Sequence, residues 1–188
     1  EIYTTTDTLS LHDALPIPRG ERQPGPLRRP RRAVSAMLAS RFDLAPWRFA
    51  READAAEREA QHALQRAWNA TGTVEFGANC YVSPLAGLDP ARVTFGPHCL
   101  VAAWVVLEGE IDAGSHCSFN AHAVVRGRVR LGNFVRIASH ACLIGFEHVA
   151  DDVEKPIFTQ GITRRGIEVG DDVWIGRASC RERVSVVV

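Results

Sequence analysis

Every sixth residue from Phe95 to Leu143 is apolar: Phe95, Val101, Leu107, Ala113, Phe119, Val125, Leu131, Ile137 and Leu143. Two positions before each of these leads stands a second apolar or small residue, from Val93, Cys99 and Val105 through to Val135 and Ala141. A period of six excludes an α-helix, whose apolar stripe recurs every 3.6 residues. A small residue or glycine often follows the lead, as at Gly96, Gly114 and Gly132. That rhythm predicts a short strand, a sharp turn at the small residue, and another short strand. Fixed-period repeats of this kind build solenoids, in which each unit buries its apolar edge only by stacking on its neighbours. With three units per triangular coil, positions three hexads apart stack vertically, about 4.8 Å from one another as hydrogen-bonded strands do. The expected fold is therefore mainly β, a parallel β-helix of hexapeptide repeats.

The repeat extends upstream through Phe76, Val82 and Leu88, with one extra residue before Phe95. A bend around Asp89-Pro90 accounts for the slip. Downstream the phase stops after Leu143 and returns at Val169 and Ile175. From Leu143 to Val169 the chain runs two positions beyond a whole number of hexads. A polar loop over 145–166 therefore leaves the coil and rejoins it, and scaffolds carry chemistry on such loops. His148 lies at its root, and imidazole is the side chain best poised for proton transfer near neutral pH.

The rest of the chain is less informative. Residues 46–70 are expected to be a helix that starts at Pro46 and ends at Thr71-Gly72. Its expected apolar face is Ala60, Ala63, Leu64, Ala67 and Trp68, and it is placed to cap the open end of the solenoid, domain 72–176. Residues 18–45 are basic and proline-rich, and are expected to be disordered or weakly ordered. Formal charge is zero across 188 residues, which gives no electrostatic case for nucleic acid. No apolar run approaches the ~18 residues of a membrane span, and no secretory signal is visible. The five cysteines form no CxxC pair; Cys99 and Cys117 read as small buried hydrophobes. A cytoplasmic protein with reduced thiols is expected.

The hexads, the loop with His148 at its start and the following IEVGDDVWIG resemble the left-handed β-helix acyltransferases, over about residues 74–176. Within them the resemblance is to maltose, galactoside and related O-acetyltransferases, including the xenobiotic branch. It implies a left-handed coil and transfer of an acetyl group from acetyl-CoA, as co-substrate, to a hydroxyl or amine of a small acceptor, by default a sugar. It implies His148 as the general base. It places Asn120 near the acceptor, where its amide would orient a hydroxyl; a turn-favouring asparagine is the other reading. It places Trp174 beside the pantetheine arm, against plain surface packing. Arg164 and Arg165 are candidates for CoA phosphates, or else a solvated loop tip. A homotrimer is implied, with His148 facing an adjacent chain.

Residues 1–17 and 177–188, notably TLSLHDALPI and, with Gly176 before it, RASCRERVSVVV, resemble translated sequencing-adapter reads. They are expected to be non-native, leaving the solenoid truncated after Gly176 and the chain open to being inactive. Two rival classes remain. One is a zinc-dependent carbonic-anhydrase-like site of the same fold, for which His98 with His116, and His122 with His140, form two ladders, each spanning three hexads. No metal is expected, because the ladders do not converge within one chain. The other is a solenoid used only as a binding surface.

Overall fold

The computed structural model describes residues 40–177. The expectations for 1–17, 18–39 and 178–188 lie outside the described residues. The chain forms a β-solenoid of about four turns. It begins with β1 (Val74–Phe76), β2 (Tyr81–Val82), β3 (Gly87–Phe95), β4 (Leu100–Val101) and β5 (Val106–Ala113). It continues through β6 (Ser118–Phe119), β7 (Val124–Leu131), β8 (Arg136–Ile137) and β9 (Cys142–Ile144). A loop containing β10 (Glu147–His148) and β11 (Ile162–Thr163) intervenes before β12 (Ile167–Val169) and β13 (Trp174–Ile175). One parallel sheet runs β1-β3-β5-β7-β12, with β9 also on β7; another runs β2-β4-β6-β8-β13.

The register is the three-hexad stack that the repeat requires. Leu107 faces Val125, Ile111 faces Val129, and Val101 faces Phe119. The lead residues and those two before them point inward, and Val93, Val105, Leu107, Val125, Val129 and Ile137 are fully buried. The extra upstream residue is a bulge: Pro90 pairs with Gly109, yet Arg92 pairs with Glu110. Ala91 is thus accommodated without moving any inward residue off the core face. Buried Cys80, Cys99 and Cys117 form one inward column. Their thiols donate to the carbonyls of Gly96, Gly114 and Gly132 at 3.2, 3.0 and 3.1 Å. The neighbouring Cys117 and Cys80 thiols, together with burial, push the Cys99 thiol up.

The glycines after the lead positions do not make the sharp turns. A Cβ on Gly96 would lie 2.7 Å from the carbonyl carbon of Gly114, so glycine is needed there for close approach between coils. The left-handed backbone falls two positions later, on Asn79, His98, His116, Phe134 and Asp172 in one column and on Trp104, His122 and His140 in another. Such conformations cost about 1–2 kcal/mol per L-residue. They are offset by bonds back to the preceding coil, such as His98 N to Ala78 O and His116 N to Pro97 O, both 2.8 Å.

The expected single helix over 46–70 is broken. A 3-10 turn, Pro46–Arg48, leads into α1 (Phe49–Glu52), and α2 (Ala55–Asn69) begins afresh. Asp54 is the reason. Its carboxylate accepts from Glu57 N at 2.8 Å while Glu57 accepts from Asp54 N at 2.9 Å, a reciprocal cap that starts a new helix. The buried face also differs from expectation. Ala60, Ala63 and Ala67 are exposed; Gln61 and Leu64 are buried, with Gln65 and Trp68 partly so. Gln61 both donates to Val82 O and accepts from Val82 N, each at 3.1 Å, and Gln65 donates to Cys80 O at 2.8 Å. The helix therefore caps the first coil as expected, but with amides that stand in for a strand. Residues 40–45, expected to be weakly ordered, are fixed. Phe42 is buried against Phe49 and Tyr81, and buried Asp43 accepts from Tyr81 Oη and Ser83 Oγ at 3.0 and 2.7 Å. The basic, proline-rich composition belongs to the residues before this anchor.

Candidate functional site

The loop expected over 145–166 leaves and rejoins the solenoid where the interrupted phase places it. Strand β12 returns to β7 with Val169 opposite Leu131. An uninterrupted coil, three hexads on from Leu131, would bring Val149 to that place instead. The excursion is thus an insertion into a single coil. Two glycines close its foot: Gly166 N donates to Gly145 O at 3.0 Å, and Gly145 N donates to Arg126 O at 2.8 Å. Side chains are excluded at this crossing. A Cβ on Gly145 would come within 2.7 Å of Arg128 O, and one on Gly166 within 3.0 Å of the same atom.

Above the foot, β10 and β11 pair antiparallel, His148 opposite Ile162. The tip folds on itself. Gln160 accepts from Asp152 N and donates to Asp152 O and Lys155 O, and Lys155 pairs with Asp152 at 2.8 Å. That ammonium holds the Asp152 carboxyl below its ordinary value. A one-turn helix, α3 (Ile157–Gln160), completes the tip and leaves Phe158 exposed.

His148 is exposed on this hairpin. Its ring lies edge-on to Phe146, with centroids 6.4 Å apart at 86°. Beneath Phe146 sits Arg126, its guanidinium carbon 5.8 Å from the ring centroid. Arg126 in turn bonds Glu108 on the neighbouring coil at 2.8 Å. This hydrogen bond, with the carboxylate charge, holds the guanidinium above its ordinary value. Sequence reasoning missed the run from Glu108 to His148. Its signal was present: Glu108-Gly109-Glu110 lies three hexads before Arg126-Gly127-Arg128, so a ladder of opposite charges is written into two adjacent coils.

The other expected site residues lie on different elements. Half-buried Asn120 directs both its backbone N and its Nδ2 to Ile137 O, at 3.0 and 2.8 Å. Its amide is thus partly committed to the coil above. Trp174 is 72% exposed on β13, opposite Arg136 of β8. Arg164 and Arg165 are exposed between β11 and β12 and make no ion pair among the described residues. Among the described residues no hydrogen bond or ion pair joins any two of His148, Asn120, Trp174, Arg164 and Arg165. Two surface grooves of about 300 and 250 Å³ include none of them. The larger is lined by Arg92, Glu110, Asp112, Arg128 and Arg130.

The histidine ladders form and are longer than expected. His98, His116 and Phe134 stack at 4.6 and 4.9 Å, and Trp104, His122 and His140 at 4.8 and 4.7 Å, every pair within 16° of parallel. Imidazole lone pairs lie in the ring plane, so stacked rings do not aim two nitrogens at one point. Among the described residues no group of three His, Cys, Asp or Glu side chains is placed to hold a metal ion. No helix among them is long and apolar enough to cross a membrane.

No protein-family profile, curated protein or solved structure matches this chain.

Proposed function

We propose that the chain is an acyltransferase subunit, moving an acetyl group from acetyl-CoA to a hydroxyl of a sugar or related small molecule, with His148 as general base. The observation that carries this reading is the exposed His148 on a hairpin that interrupts an otherwise regular β-solenoid, together with the resemblance of residues 74–176 to the left-handed β-helix acyltransferases. In the step proposed, His148 takes the proton of the acceptor hydroxyl as its oxygen attacks the thioester carbonyl. The carbon–sulfur bond then breaks. The proton passes to the departing thiolate, giving an ester and free CoA. Trp174, Arg164 and Arg165 are assigned to CoA and Asn120 to the acceptor. The reading takes the site to be completed by a neighbouring subunit of a homotrimer, its coils winding left-handed.

The test is release of free thiol from acetyl-CoA against a panel of sugars, with subunit mass measured by sedimentation. Wild type is expected to acetylate at least one acceptor as a trimer. His148→Ala is expected to lower kcat by roughly 10²–10⁴, the contribution of a positioned general base. Unchanged turnover in that variant, or no transfer by a folded wild-type trimer, refutes the assignment.

A further inference from the structure

The excursion meets the solenoid at one side-chain stack. Glu108, on β5, accepts two contacts of 2.8 Å from Nη2 of Arg126 on β7, one at each carboxylate oxygen. The guanidinium is fixed from that side. Its other neighbour is Phe146, the second residue of the excursion, with 5.8 Å between the guanidinium carbon and the ring centroid. This is within reach of a cation–π attraction. The ring is also seated from below, because a Cβ on Gly127 would lie 3.1 Å from Phe146 Cδ1. Arg126 Nε is sealed from solvent and has no hydrogen-bond partner among the described residues. Phe146 then presents its ring edge-on to His148.

We infer that the Glu108–Arg126–Phe146 stack is a brace that sets the ring of His148, with Arg126 as a positioning residue. The inference rests on the general-base role proposed for His148, but the brace itself is a statement about geometry. It gives Arg126 two separable tasks. One is the ion pair with Glu108, which links two coils. The other is the cation beneath Phe146, which among the described residues only position 126 supplies. A charge swap between 108 and 126 keeps the first task and removes the second.

The test uses the full chain labelled for histidine NMR, with His148 assigned by its loss in His148→Gln. Arg126→Ala and Phe146→Leu are expected to move the His148 ring resonances and leave those of His98, His116, His122 and His140 in place. Amide exchange in β10 and β11 is expected to rise about two- to fivefold, the size of one exposed cation–π contact. Arg126→Lys is expected to recover part of the shift. The double variant Glu108→Arg/Arg126→Glu is expected to recover the melting temperature lost in Arg126→Glu without recovering the His148 resonance. Recovery of that resonance by the swap, or an unmoved resonance in Arg126→Ala, overturns the inference. Should Arg126→Ala fail to fold, Arg126→Gln carries the same test, since it keeps the Phe146 ring and removes only the cation beneath it. Where acetyl transfer is measured, Arg126→Lys is expected to lower kcat and keep KM for acetyl-CoA. Absence of transfer in wild type would refute the proposed activity while the resonances still report on the brace.

Discussion

The coils and the excursion are built on opposite terms. In the coils each inward residue is enclosed by its equivalents three hexads away, and the lead positions from Val82 to Leu143 are at most 7% exposed. In the excursion the large apolar residues face water: Val153 is 91% exposed, Phe158 90% and Ile157 53%. The coils share continuous parallel sheets, whereas the excursion hangs on two glycines at its foot, one short hairpin and a brace. The stability of stacked repeats is approximately a sum of units and their neighbour interfaces. An insertion that adds no interface of that kind sits at the low-stability end of the molecule, where binding and gating elements are found. The contrast teaches that the repeat supplies rigidity and the interruption supplies the adaptable surface.

The sharpest way to break that comparison is to truncate the same side chain in each region. Phe119 is fully buried and touches Phe95 edge-on at 5.8 Å. Phe119→Ala is expected to cost about 3–5 kcal/mol, lost transfer energy plus the cavity left behind. Phe158→Ala, on the exposed tip, is expected to stay within about 0.5 kcal/mol. Denaturant unfolding followed by far-ultraviolet circular dichroism measures both. Equal losses would mean that the tip is covered in solution and that the two regions are not distinct.

A smaller effect separates two kinds of glycine. Gly114 lies between coils, where a Cβ would approach Gly132 O to 2.6 Å. Gly114→Ala must push backbone against backbone and is expected to cost about 1–3 kcal/mol of global stability. Gly161, at φ 84°, has nothing within 4 Å of a Cβ position. Gly161→Ala meets only backbone strain, about 1–3 kcal/mol, because φ 84° with ψ −161° is a conformation essentially reserved for glycine. That cost is expected to appear as faster amide exchange in β10 and β11, with the melting temperature of the coils unchanged. A coil-wide loss from Gly161→Ala would tie the excursion to the solenoid more closely than its few bonds suggest.

The same division explains how far residue order alone reveals this molecule. Hexad phase located the inward residues, the bulge beside Pro90 and both ends of the excursion, because burial in a solenoid depends only on position modulo six. It did not locate the left-handed corners, since a glycine excluded by a neighbouring backbone and a glycine needed for its φ leave the same letter. Composition suggested a continuous helix, but Asp54 and Glu57 close a cap that restarts it. The apolar alanines on α2 proved irrelevant because Gln61 and Gln65 bond the first coil's free strand edge. In the candidate site, the position of His148 at the root of the excursion was legible from the broken phase. The brace beneath it was not, because Arg126 and Phe146 meet only once the excursion crosses the coil.

The smallest effect concerns acid. Two partly exposed carboxylates are depressed on folding, Glu57 in the helix cap beside the coils and Asp152 at the excursion tip. The Arg41 hydrogen bond, with that from Asp54 N, holds Glu57 at about 2 against an ordinary 4.5. Lys155 first, and then Glu154 N, hold Asp152 below its ordinary 3.8. Both groups are depressed on folding, so each contributes stability that is present above its unfolded value and is lost as pH falls through its folded value. For the cap the window opens at 4.5 and closes near 2; for the tip it opens at 3.8 and extends downward. Both pairs are solvent-exposed and screened by salt, so the global change is expected to be slight. The readout is therefore local. On acidification, backbone resonances of 152–160 are expected to shift in Asp152's window, and those of 54–58 in Glu57's window. The inward residues of the coils, which carry no carboxylate, are expected to hold still through both. Lys155→Ala should move the onset for the tip upward and leave the cap untouched. A coil that loosened in step with the tip would show that the excursion transmits its own titration into the solenoid, and the two regions would then have to be treated as one.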